Sequence, residues 1–392
     1  MKLLLVALNA KYIHSNLAVY SLKSYAKEYE NNIEIAEFTI NHSEEEVLKE
    51  LYLRKADLIA FSCYIWNIGM VTRLMGQIKK VMPSVKIWLG GPEVSYDAEN
   101  FIKRYHVADG IIIGEGEQTF LELVKYYVEE TGSLDDIAGL VFRASARRRS
   151  DHQPDNMAIF STGERQLLSL DRLPFPYDDM LDEKGVFNYR IIYYESSRGC
   201  PYSCSYCLSS IDKRLRFRDL EQVKKELKLF IDNKVEQVKF VDRTFNCKNH
   251  AMEIWEFIKE HDNGITNFHF EISADLFDED ELEFLRSLRP GQVQFEIGVQ
   301  TINPDTIKAI HRRMDLDKLS KNVRILREAN NIHLHLDLIA GLPYEDYAAF
   351  KNSFNNVYRL RPHHLQLGFL KMLKGSKIRG EKELYDYRFR EY

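Results

Sequence analysis

Two successive series of short apolar runs alternate with amphipathic segments along most of the chain, and this alternation restricts the fold more than any other feature. In the first series the strand-like runs fall at 3–8, 33–38, 58–62, 85–89 and 110–113, with helical periodicity near 18–30, 44–54, 68–82 and 117–130. Strands joined through helices of that length pair in parallel, because a parallel neighbour is reached only by a crossover. Residues 1–143 are therefore expected to form an α/β domain with a doubly wound, Rossmann-like parallel sheet. Such sheets bind ligands at the carboxyl ends of their strands. The informative residues are those following each run, at 10–16, 63–67, 90–93 and 114–117.

Between 144 and 188 the periodicity dissolves, and Pro174 and Pro176 forbid a continuous helix, so this stretch reads as a linker. The basic run at 147–149 is a solvated loop face. A second series then begins, with strands at 191–195, 237–241, 267–272, 292–297, 333–339 and 365–369 and helices starting near 220, 249, 279, 305, 316 and 345. Six βα units over 189–376 predict a partial (βα)6, TIM-like barrel, with a second open sheet as the alternative. The segment 377–392 begins a carboxy-terminal extension.

The strands of this second domain alternate apolar residues with His269, Glu271 and Ser273, with Gln294 and Glu296, with His335 and Asp337, and with Gln366. Helices wrapped around a barrel demand an apolar outer face, so the polar set points into the lumen. A lumen of this kind is either a self-satisfied polar network or a chamber for cofactor and substrate. Glu271, His335, Asp337 and Gln366 are the candidates for holding substrate.

The 392 residues carry 54 Lys and Arg against 59 Asp and Glu, a net charge of −5, and 45% are hydrophobic. Bulk charge thus gives no polyanion surface for nucleic acid, and disorder is excluded. No apolar stretch approaches a membrane span and the first run is too short for a signal peptide, which points to the cytoplasm. Five cysteines are too few for a disulfide scaffold, yet three of them, Cys200, Cys204 and Cys207, fall within eight residues in the spacing C-x3-C-x2-C. Soft thiolates favour zinc or an iron–sulfur centre. A structural zinc site needs a fourth ligand at short spacing, and no Cys or His follows before Cys247. Cys63 and Cys247 read as ordinary buried cysteines.

This cysteine motif, with Tyr206 before its last member and placed after the first strand of a βα barrel, resembles the radical S-adenosylmethionine superfamily. The resemblance covers about residues 190–375 and implies a [4Fe–4S] cluster on Cys200, Cys204 and Cys207, with S-adenosylmethionine on the remaining iron and Tyr206 beside its adenine. The segment at 241–246 is similar to the family's motif at the methionine amino group, which implies a role for Asp242. The one at 295–300 is similar to the stretch near the ribose, implicating Glu296 and Gln300, and Ser273 joins this set. Gly341 and Leu342 match the Gly-Leu-Pro-x-Glu turn.

The first domain resembles the cobalamin-binding domain found ahead of many radical enzymes. That resemblance implies a cobalamin site built from Asn9, His14, Ser15, Asn16, Ser62, Tyr64, Gly90, Gly91, Gly114, Glu115 and Glu117. Gly90 and Gly91 match the glycine pair beside the nucleotide tail, and Ser62 the serine that contacts it. No Asp-x-His-x-x-Gly occurs, so the lower axial histidine of the mutases is absent, and His14 reads as a loop hydrogen-bonder. The segments at 11–16 and 367–376 resemble a subgroup whose members continue into a further domain. Implied throughout are reductive cleavage of S-adenosylmethionine, a low-potential donor such as flavodoxin or ferredoxin, and methyl transfer or related C–H chemistry on an unknown substrate. The rivals are a cobalamin-independent radical oxidoreductase or methylthiotransferase, and a non-catalytic cobalamin or redox sensor.

Overall fold

The computed structural model describes residues 1–143, 158–180, 187–247 and 250–390. The basic run at 147–149 and the expected helix start at 249 lie outside them. The chain divides into two compact units, one built on 1–168 and 172–182 with 390–392, the other on 169–171 and 183–389.

The first unit holds a seven-stranded sheet of β1 (Leu3–Asn9), β2 (Ile33–Thr39), β3 (Leu58–Ser62), β4 (Lys86–Gly90), β5 (Gly110–Ile112), β6 (Leu140–Arg143) and β7 (Ile159–Ser161), ordered β2-β1-β3-β4-β5-β6-β7. β1 to β5 are parallel, as the crossover helices require. All seven residues of β1 are buried, because both of its faces are covered. The helix Ile68–Val81 buries Val71, Leu74, Met75 and Ile78 at the i, i+3, i+4, i+7 spacing of a core-facing stripe. β6 and β7 add an antiparallel edge that the periodicity did not reveal. Of the stretch expected to be linker, the described residues 158–168 and 172–180 thus belong to the first unit.

The second unit holds a wholly parallel sheet of β8 (Ile191–Tyr194), β11 (Gln237–Phe240), β12 (Asn267–Ile272), β13 (Val293–Gln300), β14 (His333–Ala340) and β15 (His364–Phe369), ordered β15-β14-β13-β12-β11-β8. β8 and β15 do not pair, so the barrel is partial. The predicted alternation is present: Val293, Phe295, Ile297 and Val299 are buried while Gln294, Glu296, Gly298 and Gln300 on the other face are only half-buried. The outer faces pack an aromatic core, with Phe240, Phe270 and Phe295 under Trp255 and Phe277. Between β8 and β11 a short antiparallel ribbon, β9 (Ser197–Arg198) with β10 (Arg216–Phe217), closes the base of one long loop.

Candidate functional site

That loop carries the cysteines. The ribbon pins its two ends, Cys200 N donates to Asp212 O at 3.2 Å, and Ser210 Oγ donates to Cys204 O at 2.9 Å and Cys207 O at 2.6 Å. Gly199 enters the loop at φ 102°, with Arg214 O only 2.4 Å from where a Cβ would stand, so no other residue fits there. Beneath the loop, the Asp242 carboxylate accepts from Ser196 N (3.0 Å), Ser196 Oγ (2.6 Å) and Ser197 Oγ (2.6 Å).

Cys200, Cys204 and Cys207 line a single cavity of about 170 Å³ together with Tyr206, Glu271, Ser273, Glu296, Gln300 and Asp337, all nine of them candidates from the sequence. The other candidates of this unit stand off it. Asp242, expected at the methionine amino group, is spent on the serines that launch the cysteine loop. Gly341 has φ 90° and its carbonyl accepts from Tyr387 Oη at 2.8 Å, while Leu342 is buried in the core. His335 touches the cavity only through Asp337, its Nε2 lying 3.1 Å from Asp337 Oδ1. Gln366, expected in the lumen, is exposed, because β15 is an edge strand with no further strand beside it.

Eight lining residues were not candidates from the sequence, among them Arg312, Arg243, Tyr202 and Thr244. Arg312 places Nη1 3.0 Å from Tyr206 Oη and donates through Nη2 to Gly298 O. Arg243 lies 3.4 Å from both Glu271 oxygens, and Tyr202 and Thr244 complete the wall. Lys239, below the cavity, donates to Glu296 Oε2 at 2.7 Å. A cation inside a polar-facing strand can be read from alternation, but its partner cannot. Burial pushes the Cys200 thiol up, Thr244 partly opposing. Burial likewise raises Glu271, with Arg243 opposing, and Asp337, with His335 opposing.

The site fits the group its motif implies. Among the described residues no three His, Cys, Asp or Glu close on one ion. Three thiols that face one cavity without meeting at a point suit a cluster whose irons take one sulfur each better than a single zinc. Gln300 Oε1 is buried there with no hydrogen-bond partner, an acceptor awaiting a ligand.

In the first unit, the end of β1 and the loop after it are held by a residue the sequence did not flag. Glu37 Oε1 accepts from Asn9 Nδ2 and Asn16 N, both at 2.9 Å, and Glu37 Oε2 from Tyr20 Oη at 2.5 Å. Asn9 Nδ2 also donates to His14 O at 3.0 Å, and Asn16 Nδ2 reaches Asn9 Oδ1 at 3.3 Å and Ser62 Oγ at 3.5 Å. Ser15 is buried beside them, and Tyr64 stacks on Trp66 with ring centroids 4.4 Å apart. Gly91 has φ 105° and Cys63 O 2.5 Å from a notional Cβ, whereas Gly90 would meet nothing closer than 3.9 Å. Gly114 has open space around it, Glu115 is half-buried, and Glu117 is buried in the first turn of Glu117–Glu129. The room at Gly90 and the unpartnered, buried Asn16 Oδ1 fit a ligand resting on this edge.

The second unit is thus a partial parallel barrel with a three-thiol cavity, and the first a doubly wound sheet with a glycine-lined carboxyl edge. Family comparison agrees: residues 194–357 match the radical SAM superfamily and residues 3–124 the B12 binding domain. A radical SAM domain and an amino-terminal B12-binding domain are thus both present in the chain. Its curated relatives include the cobalamin-dependent radical SAM methyltransferase TokK of Streptomyces tokunonensis, 26% identical over 85% of this chain and 50% of TokK. Another is the 2-(S-pantetheinyl)-carbapenam-3-carboxylate methyltransferase of Streptantibioticus cattleyicolor, 25% identical over 78% of this chain and 45% of the relative. The chain thus spans about half the length of these relatives. The fold is shared with TsrM of Kitasatospora setae, at a TM-score of 0.71 and 16% identity over 100% of this chain and 78% of TsrM. OxsB gives 0.71 and 18% over 98% of this chain and 55% of its own.

Proposed function

We propose that this chain is a cobalamin-dependent radical S-adenosylmethionine methyltransferase. The observation that carries the reading is the convergence of Cys200, Cys204 and Cys207 with Tyr206, Glu271, Glu296, Gln300 and Asp337 on one cavity, in a chain whose other unit matches a B12 binding domain. The likeness to two methyltransferases supports methyl transfer as the outcome.

Cys200, Cys204 and Cys207 would hold a [4Fe–4S] cluster, and the loops around Asn9, Asn16, Ser62, Gly90 and Gly91 would hold cobalamin. When bound, cluster and S-adenosylmethionine supply hydrogen-atom abstraction and cobalamin supplies a transferable methyl group. The protein's own contribution is placement. The ribbon and Asp242 fix the thiols, Tyr206 and Arg312 wall the cavity, and Glu271, Glu296 and Asp337 offer acceptors to a ligand's donors. His335 holds Asp337 in place. Gln366 pairs in register with Asp337 but lies exposed on the edge strand β15, outside the cavity. The setting is the cytoplasm, with a low-potential flavodoxin or ferredoxin as electron donor. Among the described residues no helix is long and apolar enough to cross a membrane.

A methylthiotransferase would place further cluster cysteines in the first domain, where Cys63 is alone. The test is anaerobic reconstitution followed by cluster and cobalamin spectra, with 5′-deoxyadenosine and S-adenosylhomocysteine measured as products. Cys204→Ala should abolish the cluster absorbance and 5′-deoxyadenosine together. Turnover persisting in that variant sinks the proposal.

A further inference from the structure

The floor of the cysteine cavity is a layer of its own. Strand pairing aligns Tyr193 of β8 with Lys239 of β11, Lys239 with His269 of β12, and His269 with Gln294 of β13. One step nearer the cysteines, the register aligns Glu271, Glu296 and His335. Across these two layers, Lys239 Nζ lies 2.7 Å from Glu296 Oε2 and His269 Nε2 lies 3.2 Å from the same oxygen. Both contacts fall on Oε2. Among the described residues no hydrogen bond or ion pair falls on Oε1, which leaves that oxygen for a ligand in the cavity that Glu296 lines.

We propose that Lys239 and His269 are positioning residues: by pinning Oε2 of Glu296 from below, they fix Oε1 as a directed acceptor for a vicinal diol. The ribose of S-adenosylmethionine is the diol-bearing molecule of the proposed function, on which this inference rests. A carboxylate held at one oxygen loses rotamer freedom before its ligand arrives, so less is lost on binding.

The charge balance points the same way. Burial alone would push the Glu296 carboxyl up; His269 and Lys239 beside it hold it well below the ordinary carboxylate range. Burial pulls the pKa of His269 below the usual imidazole value, so at neutral pH it is uncharged and Lys239 supplies the neutralising cation. The other groups facing this cluster are Tyr193 on β8, Glu271 on β12, His335 and Asp337 on β14, and Arg243 after β11. The carboxylates among them disfavour a second negative charge, which makes Lys239 the residue whose loss Glu296 feels most. With Lys239 gone, burial dominates, and Glu296 should take up a proton as pH falls toward its ordinary 4.5.

The experiment is equilibrium binding of S-adenosylhomocysteine and of its 2′,3′-dideoxy analogue to the anaerobically reconstituted full chain. Lys239→Met should weaken the diol-bearing ligand about tenfold, the loss of one charge-supported hydrogen bond. It should leave the dideoxy analogue unchanged, and Lys239→Arg should recover most of the affinity. His269→Gln should act in the same direction but less. Wild-type affinity should stay flat on mild acidification while the Lys239→Met affinity declines. Equal loss for both ligands means a merely structural role and overturns the inference, as does no loss for either. Wild-type protein that carries its cluster yet binds neither ligand overturns the proposed function as well. The expected pattern with Lys239→Met confirms the positioning role alone.

Discussion

The guanidinium of Arg312 stands 3.8 Å from the sulfur of Cys204, a residue 108 positions earlier in the chain. Burial opposes charge there, yet Tyr206 and Cys204 beside it hold the Arg312 pKa above its ordinary value. A fixed cation at this distance stabilises negative charge on the thiol and on whatever the thiol ligates.

Replacing Arg312 with Met should therefore make the reconstituted cluster harder to reduce. For a one-electron couple a tenfold change corresponds to about 59 mV, and a negative shift of that order is expected. Potentiometric titration checks it. Arg312→Lys keeps the charge but not the planar fork, and should recover part of the shift while losing the bond to Gly298 O.

The two backbone glycines of the sites should behave differently from their neighbours. Gly199→Ala demands a left-handed φ and drives a Cβ against Arg214 O, which the ribbon holds in place. The left-handed conformation alone costs about 1–2 kcal/mol. Cluster loading in this variant should fall well below wild type, measured as iron and sulfide per chain, whereas Ser203→Ala in the same loop should load normally.

On the first unit, Gly91→Ala meets Cys63 O at 2.5 Å and should lower thermal stability with or without cobalamin. Gly90→Ala has room in the fold. If Gly90 is small so that a ligand can approach, its alanine variant should melt like wild type yet retain less cobalamin after gel filtration. Normal retention would remove Gly90 from the proposed site.

Much of this was legible in the sequence because the information was periodic or local. The five parallel strands of the first sheet and all six of the second follow from apolar runs separated by crossover lengths, and the cysteine cluster from spacing alone. What escaped was tertiary. β6 and β7 are four and three residues long, and they pair antiparallel across a polar stretch with no periodicity. Glu37, Lys239, Arg243 and Arg312 were readable as polar residues, but their partners lie 14 to 108 positions away. Gln366 was expected in the lumen because its strand alternates like the others; that pattern cannot tell an edge strand from an interior one.

Asp242 shows how a motif residue can act at one remove from the chemistry. It is 1% exposed and takes three hydrogen bonds from the two serines that precede the cysteine loop. Burial pushes its carboxyl up from 3.8 to about 6, against the pull of Ser196 and Ser197. A carboxyl whose folded pKa exceeds its unfolded one binds more protons folded than unfolded, so its contribution is full below pH 3.8 and is lost as pH rises through about 6. That gap corresponds to on the order of 3 kcal/mol. Asp242→Asn removes this titration, and its amide nitrogen confronts serine donors where an oxygen accepted them. The variant should be less stable at low pH by about 1–3 kcal/mol. Its stability should also decline less than that of wild type between pH 4 and 6, the window set by the 3.8 and about 6 values. Denaturant melts of both proteins across that range, with cluster loading followed in parallel, decide it. Parallel stability curves would show that Asp242 is already ionised in the fold. Normal loading in a destabilised variant would show that the serines hold the loop without it.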